Sequence, residues 1–180
     1  MALCGGVGGA KLALGLACVL PADALTIVVN TGDDFRHLGL HVSPDIDTVL
    51  YTLAGLSNQE LGWGLEGETW RFMEGLERLG GPTWFRLGDR DLATHALRTT
   101  MLSEGRSLSD VTRHLAARLG VGPEIVPMSD DPVPTVVETD EGELAFQTYF
   151  VGSRAEPRVA GLRFVGGERG RPAPAAAGSK

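Results

Sequence analysis

Two apolar runs with a glycine-rich interval between them open the chain. Met1 to Cys4 is short and apolar, Ala10 to Leu20 carries Leu12, Leu16 and Val19 at helical spacing, and Leu25 to Val29 is a continuous apolar run rich in β-branched residues. This order predicts a strand, a helix whose Leu12, Leu16 and Val19 face a sheet, and a buried parallel-type strand, that is, a βαβ unit. Ser43-Pro44-Asp45-Ile46-Asp47-Thr48 then reads as a helix start, with Ser43 as cap, Pro44 at the first helical position and two carboxylates at the positive end of the dipole. The helix is expected to run to about Leu56. Glu68 to Leu79 reads as helical, Gly80-Gly81-Pro82 breaks it, and the apolar patch Trp84 to Leu87 predicts a strand. Leu92 to Ser103 and Leu108 to Leu119 predict two more helices, the second capped by Ser107 or Ser109. Ile125 to Met128 predicts a short strand, and Thr135–Thr139 with Glu143–Val151 flank Asp140-Glu141-Gly142 as a late hairpin. Gly166 to Lys180 has no apolar period and is expected to be disordered or loosely held. The pattern as a whole is α/β.

Composition narrows the class. At 180 residues and 43% hydrophobic content the chain can bury one good core. A net charge of −7 provides no polycationic surface, which argues against nucleic acid as a partner. Cys4 and Cys18 are too few for a disulfide framework, and Cys4 reads as a small apolar filler. The N-terminal apolar stretch is interrupted by five glycines and Lys11, so it reads neither as a membrane span nor as a signal segment, and a cytoplasmic location is expected.

The candidate chemistry sits in the loops. A glycine-rich turn after a first strand exposes backbone N–H groups at a helix start, where they and the helix dipole can hold a phosphate. Gly5-Gly6-Val7-Gly8-Gly9-Ala10-Lys11 has neither the dinucleotide-binding nor the P-loop spacing, so on its own it is a weak signal whose alternative is a tight turn without ligand. Asp33 and Asp34, at the end of the second strand, would share its rim, since ligands sit beyond the carboxyl ends of parallel strands. Further carboxylate pairs occur at Asp45/Asp47, Asp89/Asp91 and Asp130/Asp131, and hard oxygen donors of this kind suit Mg²⁺. Each pair also has a structural reading, as dipole partner, helix cap or turn former. His37, His41 and His95 serve equally as structural or proton-transfer groups. Arg90 either contacts a phosphate or pairs with its neighbours. Trp63, Trp70, Trp84, Phe85 and Tyr51 either build a core or offer faces to a flat heteroaromatic substrate.

Taken together, Gly5 to Leu12, Val29 to Asp34, Ser43 to Tyr51, Leu87 to His95 and Pro127 to Val133 resemble, in order, the motifs of the 2-phospho-L-lactate transferase family of coenzyme F420 biosynthesis. The resemblance extends to about Phe164. It implies a Rossmann-like, mostly parallel sheet with a largely helical insertion. On this chain that means an N-terminal βαβ part at 1–43, the insertion at 44–122, returning strands at 123–165 and a flexible tail at 166–180. It also implies an enzyme, usually homodimeric, that moves a phospholactyl or phosphoenolpyruvyl group from a guanosine diphosphate-linked donor to the deazaflavin alcohol Fo, with release of GMP and assistance from Mg²⁺. Carried over residue by residue, Gly5, Gly6, Gly8, Gly9 and Lys11, with Asn30 and Thr31, would face the donor. Asp33, Asp45 and Asp47 would be the catalytic and metal-holding carboxylates, and Asp89, Arg90 and Asp91 would line the acceptor side. Family members continue with further strands beyond the point where this chain runs into Pro172-Ala-Pro-Ala-Ala-Ala-Gly178. Two other readings are an inactive truncated remnant and a non-catalytic nucleotide-sugar-binding regulator of the related gluconeogenesis-factor branch. The second tends to carry Gly-Gly-Ser-Ser-Gly where this chain has Phe35-Arg-His-Leu-Gly-Leu40.

Overall fold

The computed structural model describes residues 1–168 and 170–177. The chain passes through β1 (Ala2–Cys4), α1 (Gly6–Val19), β2 (Thr26–Val29), β3 (Phe35–His37) and β4 (Leu40–Val42). Four helices follow, α2 (Pro44–Leu53), α3 (Arg71–Arg78), α4 (Asp91–Ser103) and α5 (Leu108–Arg118). It ends in β5 (Glu124–Pro127), β6 (Thr135–Thr139), β7 (Gly142–Ala145), β8 (Val159–Phe164) and a short α6 (Pro174–Ala177).

The central sheet has the order β1-β2-β5 and is parallel throughout, with Ala2 opposite Ile27 and Ile27 opposite Ile125. Because side chains alternate along a strand, Ala2, Cys4, Ile27, Val29 and Ile125 project into one core. There they meet Ala10 and Ala13 of α1, Ile46, Val49 and Leu50 of α2, and Val111 and Leu115 of α5. Leu3 points the other way and is 75% exposed. The hairpin of β6 and β7 belongs to a second, antiparallel sheet of order β7-β6-β8.

Several expectations are corrected. The sheet-facing stripe of α1 is Ala10, Ala13, Leu16 and Ala17, whereas Leu12 and Val19 are exposed. The helix starts at Gly6 and uses alanines to lie close to its neighbours. No strand forms at Trp84 to Leu87, which is irregular chain. Its aromatic rings pack instead: Phe85 meets Phe35 edge-on at 4.8 Å, and Trp84 meets His37 at 5.1 Å. The second hairpin strand stops at Ala145, and Thr148–Gly152 winds into a π-helical turn whose Phe150 stacks on Phe146, just before it, at 5.7 Å. Ser43 occupies the N-cap position of α2 without a side-chain cap bond, while Ser107 does cap α5. The tail is held in its described part. Ser129 accepts Pro172 as a bridge partner, its hydroxyl donates to the carbonyl of Arg171 at 2.8 Å, and Ala173 is buried. The expectation for residues 169 and 178–180 lies outside the described residues.

Two helices are capped by exchange. Asp89, just before α4, accepts N–H bonds from Arg71 and Phe72 at the start of α3, and Glu68, just before α3, accepts those of Arg90 and Asp91 at the start of α4. The orphan donors of each helix are thus met by a carboxylate from the loop leading to the other, at the positive end of its dipole. Gly88 makes room for this, because a Cβ there would overlap the Glu68 carboxyl.

Candidate active site

A cavity of about 650 Å³ opens where the carboxyl ends of β1 and β2 meet the start of α2 and α4. Its polar wall holds Gly6, Asp33, Asp45, Asp47, Asp91 and His95. Trp63, Trp84, Phe85 and Phe146 supply apolar faces. Chain segments more than forty residues apart therefore share one rim, with Asp45 and Asp47 on the first turn of α2 and Asp91 at the first position of α4.

Asp45 stands over the glycine turn. Asn30 ties it to the loop after β2, donating through its amide to Asp45 Oδ2 at 2.9 Å and accepting the Gly32 N–H at 3.0 Å. A Cβ on Gly5 would come within 3.2 Å of the same Asp45 oxygen. The helix start thus faces a carboxylate, and a phosphate placed there requires a cation beside it. Asp33 adds to the excess of negative charge. Burial, then the nearby Asp45 and Asp34 carboxylates, push its pKa up to about 6. Asp34 is raised by burial too, against the opposing contacts of His41 Nε2 at 3.2 Å and the Ser43 hydroxyl at 2.7 Å. Two carboxylates with unneutralised charge, set near N–H donors, fit the donor set of Mg²⁺, which takes one or two protein carboxylates and fills its shell with water and phosphate oxygens.

Asp47 does not share that role. Its carboxylate turns away from Asp33 and Asp45 to make a two-point ion pair with Arg98, whose side chain is fully buried. Among the described residues the one group of three possible metal donors is Asp47, Asp91 and His95. The Arg98 guanidinium already neutralises Asp47 there, which disfavours a second cation. Asp91 accepts the Tyr51 hydroxyl at 2.5 Å and lies 3.2 Å from His95 Nε2. Burial pushes its pKa up, but the His95 and Tyr51 contacts outweigh that and hold it below the ordinary carboxylate range.

Other expected site residues lie elsewhere. Of the glycine run, Gly6 lines the cavity, whereas Gly9 serves packing: a Cβ on it would meet the Cys4 Cα at 3.0 Å. Gly8 is exposed with nothing near it. Lys11 borders a separate pocket of about 90 Å³ with Ser57 and Asn58. Asp89 caps α3, and the Arg90 guanidinium donates to the Glu66 carbonyl, so neither lines the main cavity. Thr31 is buried beside a second cavity of about 490 Å³, which meets the first at Asp33, Phe146 and Gln147. Sequence reasoning missed Arg98. An arginine three residues after His95 and seven after Asp91, on the same face of α4, was the available signal.

Comparison with known proteins gives the family. Residues 1–179 match the family described as 2-phospho-L-lactate transferase CofD. The chain is 49% identical over 177 residues to a phosphoenolpyruvate transferase of Streptomyces griseus, covering 96% of this chain and 56% of the relative. It is 43% identical to a 2-phospho-L-lactate transferase of Methanosarcina mazei, covering 90% of this chain and 54% of that protein. The chain spans about half the length of these curated relatives. A solved structure of a UPF0052-family protein from Bacillus halodurans superposes with a TM-score of 0.58 at 16% identity over 97% of this chain and 53% of that one, a likeness of fold. The chain belongs to the 2-phospho-L-lactate transferase CofD family.

Proposed function

We propose that this chain carries the active-site rim of a transferase that moves a phospholactyl or phosphoenolpyruvyl group from a guanosine diphosphate-linked donor to the deazaflavin alcohol Fo. The observation that carries this reading is the single cavity in which the α1 turn, Asp33, Asp45 and Asp91 converge against aromatic walls. The acceptor hydroxyl oxygen bonds to the phosphorus that carries the lactate or enolpyruvate ester oxygen, the bond from that phosphorus to the GMP oxygen breaks, and the hydroxyl proton passes to a carboxylate. Such transfers depend mainly on positioning and charge stabilisation. Asp33 and Asp45 would hold Mg²⁺, which supplies charge neutralisation at the transferring phosphoryl oxygens. The N–H groups at the α1 start face the donor phosphates. The rings of Trp63, Trp84 and Phe146 supply flat apolar faces for the acceptor, whose reactive alcohol points to the carboxylate wall.

We place this activity in the cytoplasm and in a homodimer. Cys4 and Cys18 are free thiols, and no helix among the described residues is long and apolar enough to cross a membrane. The test is GMP release and Fo phosphorylation on mixing the chain with donor, Fo and Mg²⁺. Calorimetry with GMP, GDP and a UDP-sugar runs alongside. Transfer, or guanine-nucleotide binding, supports the reading. Preferential binding of the UDP-sugar overturns it in favour of the non-catalytic regulator.

A further inference from the structure

Behind the cavity wall the polar groups form a directed chain that the proposed reaction has not used. Arg98 is fully buried on α4 and places one nitrogen on Asp47 Oδ2 at 3.1 Å and 3.3 Å from His95 Nδ1. A guanidinium can only donate, so His95 Nδ1 must accept and carries no proton. The imidazole proton is thereby placed on Nε2, a buried atom that makes no hydrogen bond in this structure and lies one helical turn from Asp91, 3.2 Å from its Oδ2 and within ion-pair reach of it. Asp91 Oδ1 is held from the other side by the Tyr51 hydroxyl at 2.5 Å. Asp91 and His95 both line the main cavity, whereas Arg98 does not.

We propose that Arg98 is a positioning residue that imposes the Nε2–H tautomer on His95 and so orients the Asp91 carboxylate for the incoming acceptor hydroxyl. The inference rests on the transferase reading for its catalytic half only. As the new O–P bond forms and the P–O bond to GMP breaks, the hydroxyl proton moves to an Asp91 oxygen, which returns it to water after product leaves. His95 keeps its proton throughout. It orients Asp91, as the third group of a catalytic array orients its base.

The geometry makes a claim that is measurable without turnover. Long-range ¹H–¹⁵N spectra of the ¹⁵N-labelled chain at neutral pH should show His95 as the neutral Nε2–H form. In Arg98→Gln, whose fold is checked by circular dichroism and whose amide can accept as well as donate, that form should give way to a tautomer mixture. A wild-type His95 in the Nδ1–H form, or an unchanged Nε2–H form in folded Arg98→Gln, overturns the positioning chain whatever the activity. In transfer assays His95→Gln, whose amide can reach the Nε2 position, should retain several-fold more kcat than His95→Asn, while the KM for Fo stays within about twofold in both. Asp91→Asn should lose about a hundredfold or more in kcat, the usual range for a proton acceptor. Equal kcat losses in the two His95 variants, or near-normal kcat in Asp91→Asn, overturn the catalytic half. If the wild-type chain transfers nothing, the transferase reading fails along with that half, and the spectra still decide the tautomer.

Discussion

Asp45 and Asp47 stand two residues apart on the first turn of α2 and have opposite environments. Asp47 faces a buried guanidinium, whereas Asp45 faces an amide, the glycine turn and a second carboxylate. Removing the charge of Asp47 strands Arg98, and breaking a buried pair from one side costs about 3–5 kcal/mol. Asp47→Asn should therefore lower stability in denaturant titrations by about 3 kcal/mol. Asp45→Asn should change it by less than about 1 kcal/mol, while abolishing Mg²⁺-dependent binding of GDP in calorimetry. Equal stability losses would refute the distinction. The sequence marked both residues as candidates because their spacing and dipole position are alike. What separates them is a partner fifty-one residues away, which local pattern does not encode. Asp33 carries a pH signature. Its pKa rises from 3.8 to about 6, so the folded chain holds this proton more tightly than the unfolded one. The stability it contributes is full below 3.8 and is lost as pH rises through about 6. Asp33→Asn should thus melt higher than the wild type near neutral pH, by about 1–2 kcal/mol after allowance for its partial exposure, and the gap should close below about pH 4. Millimolar Mg²⁺ should narrow the gap by stabilising the wild type alone. A gap that persists in acid would contradict the assignment.

At the scale of elements, what hydrophobic period governs was legible and what turn chemistry or exchange governs was not. The β1-α1-β2 unit, the three long helices α2, α4 and α5, β5 and the β6–β7 turn all follow from runs and caps in the sequence. The β3–β4 hairpin does not announce itself, because its two-residue turn is Leu38-Gly39, with φ of 53° and 79°, and leucine rarely adopts that conformation. Trp84 to Leu87 has strand composition, but its aromatic side chains are taken up by the rings of Phe35 and His37, and no neighbouring strand offers a ladder. The exchange of caps between α3 and α4 is invisible to a search for local caps, since each carboxylate serves a helix about twenty residues away. It makes a prediction of its own. Glu68→Ala should destabilise the chain by about 1 kcal/mol, the typical value of a lost N-cap, and should also displace Asp91 by releasing its backbone N–H. Gly88→Ala should do the same or more by expelling the Glu68 carboxyl. Thermal melts of the two single variants and the double variant check this. If both act by removing one contact, their effects will be clearly less than additive.

At the scale of the whole molecule the central strands are covered on both faces, Val28 and Val126 on one and Ile27 and Ile125 on the other, but the edge strand β1 is not. Helices α1, α2 and α5 close the side occupied by Ile27 and Ile125, while Leu3 on the opposite side of the edge strand β1 is open to water. Parallel sheets are normally buried on both faces, and an unpaired strand edge is a template for association. The outer side of α1 and the edge strand β8 are similarly bare, with Leu12, Leu162 and Phe164 each more than half exposed. Exposed apolar side chains of this size favour association in water. The expected outcome is that the 180-residue chain self-associates at micromolar concentration in multi-angle light scattering. Replacing Leu3 by Lys should shift the species toward monomer, because a charge on that face opposes its burial and leaves the helical core untouched. The same experiment bears on the proposed homodimer. A defined two-chain species that Leu3→Lys dissolves would make the surface around Leu3 a specific interface, whereas a broad, growing mass distribution would mark it as unsatisfied apolar surface. A monodisperse monomer in the wild type would mean that the exposed leucines are scattered too widely to act together, and the association argument would fall.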